Sequence, residues 1–237
     1  MIKISFIAFI LILSLTATSQ TNNQKFEFSP ATAQPNARAL MKEDFYWSPI
    51  DDSGPFGSDA GSDAAYGFHQ WRQTNKSTSP ILYLKELMSS WNFPPFAWDQ
   101  LDTTAIKLYQ ATPVHLDETF VKQMIEILKK ENERNAAATG GGKQLTDEQL
   151  RQIVLDSKTN IGVSYLNNID EAIIGVAFAQ FVMEGKIHPT LKYYAEKTLR
   201  REMLPVVTRQ FGQPDQVKAH NDKTNKMLKL INKMPTR

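Results

Sequence analysis

Apolar side chains recur along most of this chain at the spacing of one face of an α-helix. In segments 60–71 and 81–91 they fall every three or four residues, which places them along one stripe of a helix. Residues 172–183 are apolar on every side except for Gln180, a pattern typical of a helix surrounded by other helices. The chain is therefore predicted to be all-α, a single bundle-like domain of seven or eight helices with a buried central helix at about 169–184.

Polar, proline-bearing and glycine-rich stretches divide this pattern into segments. Residues 20–44 carry few bulky apolar groups and are predicted to be a flexible or extended lead-in. Residues 45–212 form the predicted helical domain, with a glycine-rich loop at 135–145 that marks either a domain boundary or a long loop. Residues 213–237 are predicted to form a basic amphipathic helix. Alternating apolar residues at 160–168 fit a strand as well as a helix.

Polar residues beside the apolar runs predict where two of the helices begin. Ser58 or Asp59 is expected to cap the helix that runs to about residue 72, because its side-chain oxygen can accept hydrogen bonds from the free backbone N–H groups of the first turn. Glycines within that helix, Gly61 among them, can let another backbone approach closely. Asp170 and Glu171 are expected at the start of the central helix, where the helix dipole favours carboxylates.

The first residues have the pattern of a secretory leader. Lys3 precedes an almost wholly apolar run at 6–15, and small residues follow at 17–19. Cleavage is predicted after Ser19, which makes residues 1–19 a signal peptide and places the mature chain in the periplasm or outside the cell. The alternative is an uncleaved anchor, but the apolar run is short for a membrane span, which needs about 20 residues.

The chain contains no cysteine, which excludes disulfides, a cysteine-anchored lipoprotein and zinc bound by thiolates. Charge is unevenly spread: residues 20–185 hold 14 Lys and Arg against 21 Asp and Glu, whereas residues 186–237 hold 12 against 4. In an exported protein this favours acidic and basic parts of one fold lying against each other over a nucleic-acid or membrane surface. Neither a nucleic-acid partner nor a membrane span after leader removal is expected.

The motifs of common hydrolases and nucleotide-binding enzymes are missing from the sequence. It contains neither H-E-x-x-H nor G-x-S-x-G, and neither of the glycine-rich phosphate-binding patterns. A calcium loop starting at Asp52 would place Gly57 at its sixth position and Asp63 at its twelfth. Gly54 and Phe56, at the third and fifth positions, offer no side-chain oxygen to a cation. No metal and no cofactor are predicted.

One face of the helix that follows Ser58 is polar, because its residues at i, i+4, i+7 and i+11 share a side of the helix. That face consists of Asp59, Asp63, Tyr66 and Gln70. Pairs of carboxylates perform the acid and the nucleophile or base steps of glycan hydrolysis. The catalytic candidates are therefore Asp51, Asp52, Asp63 and His69. The ligand-binding candidates are Trp47, Asp59, Tyr66, Gln70, Trp91, Phe96 and Trp98.

Each of these features also has a purely structural explanation. A polar helix face is normally solvated, and Asp59 can serve as a cap. The loop 91–98, rich in aromatic residues and proline, can supply a stacking surface for sugars or seal an apolar core. Binding of a ligand or partner at this surface is favoured over catalysis.

The segment 54–63 resembles a bacterial family of unknown function. The family's signature has a tryptophan-containing start, then G-x-F, an aspartate three residues after the phenylalanine and another four residues later. Here Gly54, Phe56, Asp59 and Asp63 match it, over about 20 of 237 residues. Members are small and helical and are often predicted as immunity or accessory proteins. The resemblance implies a tight turn whose aspartates cap the first helix, and it brings no activity with it. The aspartate pair just upstream and the export signal depart from the family pattern.

Two functions remain open from the sequence. The first is an exported, soluble helical protein that acts as a binding or interaction module of the cell envelope, with a protein or a glycan as its partner. The second is a periplasmic hydrolase of glycan or peptide that uses carboxylates of residues 51–63. The hydrolase requires a concave pocket in which at least two of these side chains converge, with a carboxyl group of raised pKa: Asp51, Asp52, Asp59, Asp63 and His69.

Overall fold

The predicted all-α fold is confirmed by a computed structural model of the chain. The model describes residues 26–112, 118–139, 145–157 and 161–237. The predicted signal peptide and the glycine run at 140–142 lie outside these ranges. The described residues contain ten α-helices rather than seven or eight, because two short ones, at 35–40 and 205–208, were not predicted as separate helices. The helices are α1 (Pro35–Leu40), α2 (Asp59–Thr74), α3 (Pro80–Ser90), α4 (Thr103–Gln110), α5 (Glu118–Thr139), α6 (Asp147–Ser157), α7 (Ile161–Glu184), α8 (Pro189–Glu202), α9 (Pro205–Thr208) and α10 (Pro214–Lys233).

Helix α7 is the centre of the fold, as its apolar sequence predicts. It contacts α1, α2, α3, α4 and α8, and nearly all of its residues from Ile169 to Val182 are buried. The buried amide of Gln180 accepts a hydrogen bond from the backbone N–H of His188 at 2.9 Å, which satisfies a polar group in an otherwise apolar helix. None of the helices among the described residues is long and apolar enough to cross a membrane.

The central helix begins at Ile161 rather than near residue 169. The ambiguous segment 160–168 is therefore helical from Ile161 onward, and the expectation that Asp170 and Glu171 start a helix is wrong. Both carboxylates lie in the interior of α7, where the helix dipole does not stabilise them. Their stability must come from specific partners, because charged side chains are almost never fully buried unless they are paired.

Helices α2 and α7 pack unusually closely through two glycines. A β-carbon placed on Gly175 would lie 2.3 Å from the backbone oxygen of Gly61, so neither helix has room for a side chain at this contact. The expected role of Gly61 in close backbone approach is thereby confirmed. The two helices run in parallel: Asp59 and Glu171 lie near one end of the pair, and Arg72 and Glu184 lie together near the other.

Residues 26–44 differ from the predicted flexible lead-in. Phe28, Ala37 and Met41 are buried in the hydrophobic core, and the backbone N–H of Gln34 donates to the carbonyl of Val182 in α7 at 2.8 Å. The segment is polar overall, but several of its apolar side chains join the hydrophobic core. Burial of several such side chains offsets the entropy lost when the segment is ordered.

The basic C-terminal helix belongs to the same core. α10 packs against α8, and its side chains Met227 and Ile231 are buried. On its polar side Lys223 pairs with Asp51 at 2.6 Å and Lys226 pairs with Glu43 at 2.5 Å. These contacts agree with the expectation that acidic and basic parts of one fold lie against each other.

Helices α5 and α6 form a hairpin that packs chiefly on itself. Its buried apolar side chains are Val121, Leu150 and Val154. The predicted capping box of α6 is present, since the backbone N–H of Gln149 donates to the Thr146 hydroxyl and that of Thr146 donates to the Gln149 side chain. The two helices on either side of the glycine-rich loop are thus packed against each other.

Candidate ligand-binding site

A cavity of about 540 Å³ opens where α2, α7, α8 and α10 meet. Its size falls within the range of about 300–1,000 Å³ that is usual for small-molecule sites. The wall is formed by the loop 52–54, the first turn of α2, the middle of α7, the end of α8, the 3₁₀ turn Arg209–Phe211 and the polar side of α10. Five separate stretches of sequence therefore build one site: 52–60, 167–174, 202, 210–211 and 220–227.

The first turn of α2 is placed by a tight turn that only glycines permit. A β-carbon on Gly57 would lie 1.9 Å from the backbone oxygen of Asp51. Gly54 donates its backbone N–H to the same oxygen at 2.6 Å. Ser58 then caps α2 by accepting a hydrogen bond from the N–H of Gly61 at 3.2 Å. The cap is Ser58 and not Asp59, whose side chain is left exposed at the rim of the cavity.

The cavity is strongly acidic. Asp52, Asp59, Glu171 and Glu202 all contribute to its wall, and none of the described residues that line it is lysine or arginine. The remaining polar groups include Asn167 and amide or hydroxyl side chains of neighbouring elements. Carboxylates that face the same water-filled space repel one another, so a cation placed between them is favoured.

Glu171 carries the strongest sign of this crowding. Burial is the main cause that raises the pKa of its carboxyl group from 4.5 to about 7; the negative charges of Glu202, Asp52 and Asp59 act in the same direction, and a hydrogen bond with the Ser58 side chain acts in the opposite one. The carboxyl group is therefore poised to gain or lose a proton near neutral pH. A bound cation would favour its ionised form.

Glu202 connects the cavity wall to α10. Its carboxylate lies 3.3 Å from Nε2 of His220, and the hydroxyl group of Thr224 lies 3.4 Å from the same nitrogen. The ring of His220 is in turn 4.4 Å from the ring of Phe211, centre to centre. The site thus has one aromatic wall beside its carboxylates.

Behind the cavity, Arg201 and Asp170 form an ion pair whose side chains are both fully buried. The guanidinium group of Arg201 donates to both carboxylate oxygens of Asp170. It also donates to the backbone oxygens of Trp98 and Gln100 at 2.9 and 2.8 Å. Burial raises the pKa of Asp170, Arg201 opposes that rise, and the neighbouring Glu202 adds to it. This pair fixes Glu202 on one side and the loop 91–100 on the other.

The arrangement suits an organic cation better than a metal ion. Among the described residues, no three His, Asp or Glu side chains lie close enough together to hold a metal. The carboxylates are instead spread around a cavity much larger than one ion. Several separated negative groups match a ligand with more than one positive centre.

Of the residues predicted from sequence, Asp52 and Asp59 line this cavity and the others lie elsewhere. Asp51 accepts hydrogen bonds from Lys223 at 2.8 and 2.6 Å and from the backbone N–H of Ser53. Asp63 and Gln70 are exposed along α2 away from the cavity. Two of the five residues named for the hydrolase hypothesis therefore converge in one cavity, which is the smallest number that the hypothesis requires.

His69 and Tyr66 take part in an aromatic cluster instead of the cavity. The ring of His69 stacks on Phe26 with a centre-to-centre distance of 3.9 Å, and Tyr66 meets Phe28 edge to face at 5.0 Å. Burial lowers the pKa of His69, which favours the neutral ring. Both side chains hold residues 26–28 against α2.

The remaining aromatic candidates also pack inside the fold. The indole of Trp47 donates to the backbone oxygen of Met41 at 2.9 Å. Trp91 packs beside Phe93, Phe96 lies over the guanidinium group of Arg201 at 5.1 Å, and Trp98 meets Tyr194 edge to face. The loop 91–98 encloses a separate cavity of about 460 Å³ with Ile169 in its wall. None of these side chains lines the acidic cavity.

Sequence reasoning missed Glu171, Glu202 and His220 as members of the site. Glu171 was assigned to a helix start, and the other two lie far from the acidic stretch in sequence. One signal could have found Glu171: together with Asp170 it interrupts an apolar run that must be buried. Buried carboxylates need partners, and the sequence offers such partners among the basic residues nearer the C-terminus.

Replacing Glu171 with glutamine is expected to stabilise the protein at pH 8 and to change little at pH 4. The folded state keeps its proton up to about pH 7 while the unfolded state loses it above about 4.5. The Glu171 contribution to stability is thus complete below pH 4.5 and declines as pH rises through 7. Glutamine removes that decline, worth about 2 kcal/mol after allowance for partial solvation. Urea unfolding at both pH values measures it.

The matched control is Glu86→Gln, which removes a carboxylate from an exposed position on α3. It is expected to leave the difference between pH 4 and pH 8 unchanged. A Glu171→Gln variant that is less stable than the wild type at pH 8 would contradict the crowding of this cavity.

Compared with protein-family models, curated proteins and solved structures, the chain matches none of them, so the family resemblance at residues 54–63 stays a prediction.

Proposed function

We propose that this chain is a binding protein whose acidic cavity takes up a small organic cation with at least two amino groups. The single observation that carries the proposal is the gathering of Asp52, Asp59, Glu171 and Glu202 around one cavity of about 540 Å³ that no lysine or arginine of the described residues lines. A protein that leaves four carboxylates facing one space is under electrostatic strain. A polycation relieves that strain, and this relief is the source of its affinity.

Two further features support a diamine, a polyamine or an amino sugar with two amino groups as the ligand class. The polar amides of Asn167 and Gln210 bond to each other at the rim at 2.9 Å, where they can also bond hydroxyl or amino groups. Phe211 and His220 supply an apolar ring wall against which a carbon chain or a sugar face packs. The location in the cell envelope rests on the leader pattern at residues 1–19 and stays a prediction.

Calorimetric titration with putrescine, spermidine and a glucosamine disaccharide, which carries two amino groups, tests the proposal, with 1,4-butanediol as the uncharged counterpart of putrescine. Spermidine is expected to bind at low salt and to weaken as salt increases, because the attraction is between charges. At pH 7 binding should release a proton from Glu171, so the measured heat should depend on the ionisation heat of the buffer. Glu171→Gln should abolish that dependence. Absence of binding by all three amines at millimolar concentration would overturn the proposal.

Asp59→Asn and Asp63→Asn form the matched pair for this experiment. The two aspartates lie one turn apart on α2 and both are exposed, but only Asp59 lines the cavity. Asp59→Asn is expected to weaken spermidine binding by about tenfold, the loss of one favourable ion contact. Asp63→Asn should bind as the wild type does. Equal effects of the two substitutions would place the amine outside this cavity.

A hydrolase of glycan or peptide is the second candidate, and the raised pKa of Glu171 is the observation that favours it. A carboxyl group protonated near pH 7 can act as a general acid, and Asp52 or Asp59 in the same cavity could act as the base. The acid would then come from α7 and not from residues 51–63. Incubation with an amino-sugar oligomer distinguishes the two functions, since turnover lost in Glu171→Gln supports the hydrolase and intact oligomer supports binding alone.

A further inference from the structure

A further cavity, of about 380 Å³, lies at the end of the α2 and α7 pair that is opposite to the acidic cavity. It is lined by Arg72, Lys76, Met183, Glu184, Lys186 and Arg237. Four of these six residues are cationic, and one is a carboxylate. The cavity is thus the electrostatic counterpart of the acidic site, built on the other ends of the same two helices.

Arg72 is held rigidly in the wall of this basic cavity. Its side chain is only 7% exposed. Nη1 donates to the backbone oxygens of Asn75 and Thr78 at 2.7 and 2.6 Å, and the guanidinium group lies over the ring of Phe68 at 4.8 Å. The orientation of the planar group is therefore fixed before any ligand arrives.

The other edge of the same guanidinium group lacks hydrogen-bond acceptors. Nε and Nη2 of Arg72 are both buried without a partner, although the carboxylate of Glu184 lies 3.0 Å from Nε as an ion pair that is poorly aligned for a hydrogen bond. Burial lowers the pKa of Arg72 and the charge of Arg237 lowers it further, with Glu184 acting in the opposite direction. A buried donor without an acceptor costs free energy, so an anion with several oxygens would stabilise this arrangement.

Glu184 cannot neutralise the cavity by itself. Its carboxylate already accepts hydrogen bonds from Gln180 at 2.9 Å and from the guanidinium group of Arg237. Arg72, Lys76, Lys186 and Arg237 therefore face a single negative group within the described lining. The positive field extends to His188, whose pKa is lowered by burial and then by Arg237 and Arg72.

We propose that the basic cavity binds a phosphate group, either as inorganic phosphate or at the end of a phosphate ester. A phosphate dianion supplies enough oxygen acceptors for one guanidinium edge and two ammonium groups at once. Arg237 turns toward the anion as its bond to Glu184 loosens, and the lysines close over the outer oxygens. The site is separate from the acidic cavity, and its occupation does not depend on the proposed binding of amines.

Thermal unfolding and calorimetric titration with sodium phosphate test this site, with sodium chloride at equal ionic strength as the reference. Phosphate is expected to raise the unfolding temperature and chloride is not. Titration with glycerol 3-phosphate distinguishes the two sources of the group, because an ester that binds more tightly identifies a ligand larger than the free ion. An equal response to phosphate and to chloride would overturn the proposal.

Lys186→Gln and Lys107→Gln are the matched variants, since both lysines are exposed and only Lys186 lines the basic cavity. Lys186→Gln should weaken phosphate binding by about tenfold, and Lys107→Gln should not change it. Arg72→Lys keeps the positive charge but removes the planar guanidinium group. This variant should bind phosphate more weakly, even if its folded state is also less stable. Phosphate should also raise the pKa of His188, measured by NMR. Identical phosphate affinity in both lysine variants would exclude this cavity as the site.

The amine titration provides a separate check. Lys186→Gln should bind spermidine as the wild type does, because that lysine does not line the acidic cavity. Failure of phosphate binding would therefore leave the proposed function intact, and failure of amine binding would leave the phosphate site intact.

Discussion

Replacing Arg201 with methionine is expected to lower the free energy of unfolding by about 3–5 kcal/mol, the usual cost of removing one partner of a buried ion pair. Arg201 and Asp170 are both fully buried, and the guanidinium group donates to Asp170 and to the backbone oxygens of Trp98 and Gln100. Methionine fills a similar volume but leaves all of these acceptors without a donor. Chemical unfolding monitored by circular dichroism at pH 8 measures the loss.

The cost should be smaller at pH 5 than at pH 8. Without Arg201, burial raises the pKa of Asp170 with no opposing cation, so the carboxyl group takes up a proton and avoids a buried charge. At pH 8 that escape is incomplete. The double variant Asp170→Leu with Arg201→Met removes both charges and should recover at least about 2 kcal/mol of the loss, because apolar pairs often replace buried ion pairs at little cost.

Arg200→Met is the control for this experiment. Arg200 precedes Arg201 on the same helix, but it is exposed and pairs with Glu196 one turn away. Such a surface pair contributes about 0.5 kcal/mol. If Arg201→Met and Arg200→Met have similar stabilities, the buried pair does not hold the fold together.

Replacing Gly175 with valine is expected to destabilise the protein by about 3 kcal/mol or more, the upper range for overpacking a tight core. A β-carbon there would lie 2.3 Å from the backbone oxygen of Gly61, so α2 and α7 must move apart. No rotation of a side chain can relieve a contact between two backbones. Gly175→Ala should show a smaller loss in the same direction, although alanine by itself favours the helix by about 1 kcal/mol.

Gly67→Ala separates this effect from the general effect of filling a helical glycine. Gly67 lies on α2, the helix that packs against α7, but its added methyl group would meet only the hydroxyl end of Tyr83, at 2.3 Å. Relieving that contact disturbs the hydrogen bond from the Tyr83 hydroxyl group to the backbone oxygen of Ala64 at 3.0 Å but does not separate two helices, so Gly67→Ala should cost less than Gly175→Ala in urea unfolding. A Gly175→Ala variant as stable as the wild type would show that the two helices are not in close backbone contact in solution.

Local patterns in the sequence were sufficient for the framework of the fold. An apolar run with one amide predicts a central helix, and that helix is α7. Ser58 and Thr146 cap helices because their side-chain oxygens reach backbone N–H groups within the next turn. Gly61 was expected to admit a second backbone, and Gly175 is its partner. The central helix and the caps each depend on residues within a few positions of one another, whereas the partner of Gly61 on α7 could not be predicted from neighbouring residues.

The site could not be derived in the same way, because its residues meet only through the packing of distant segments. Asp52 and Asp59 were recognised from the composition of their stretch. Glu171, Glu202 and His220 join them only once α7, α8 and α10 are in place. The alternation at 160–168 fits a strand as well as a helix, so the start of α7 could not be predicted. Asp170 and Glu171 were therefore expected at a helix start instead of in the interior of α7.

The parallel packing of α2 and α7 also separates two opposite charges by a fixed length. Glu171 and Glu184 mark the acidic and the basic cavity on one continuous helix, and the rise of about 1.5 Å per residue puts them about 20 Å apart. Unit charges at that distance in water interact by only about 0.2 kcal/mol, and salt at about 0.15 M, with a Debye length of about 8 Å, screens even this. The protein therefore keeps two surfaces of opposite polarity that are electrically independent, joined by a helix pair too closely packed to bend between them.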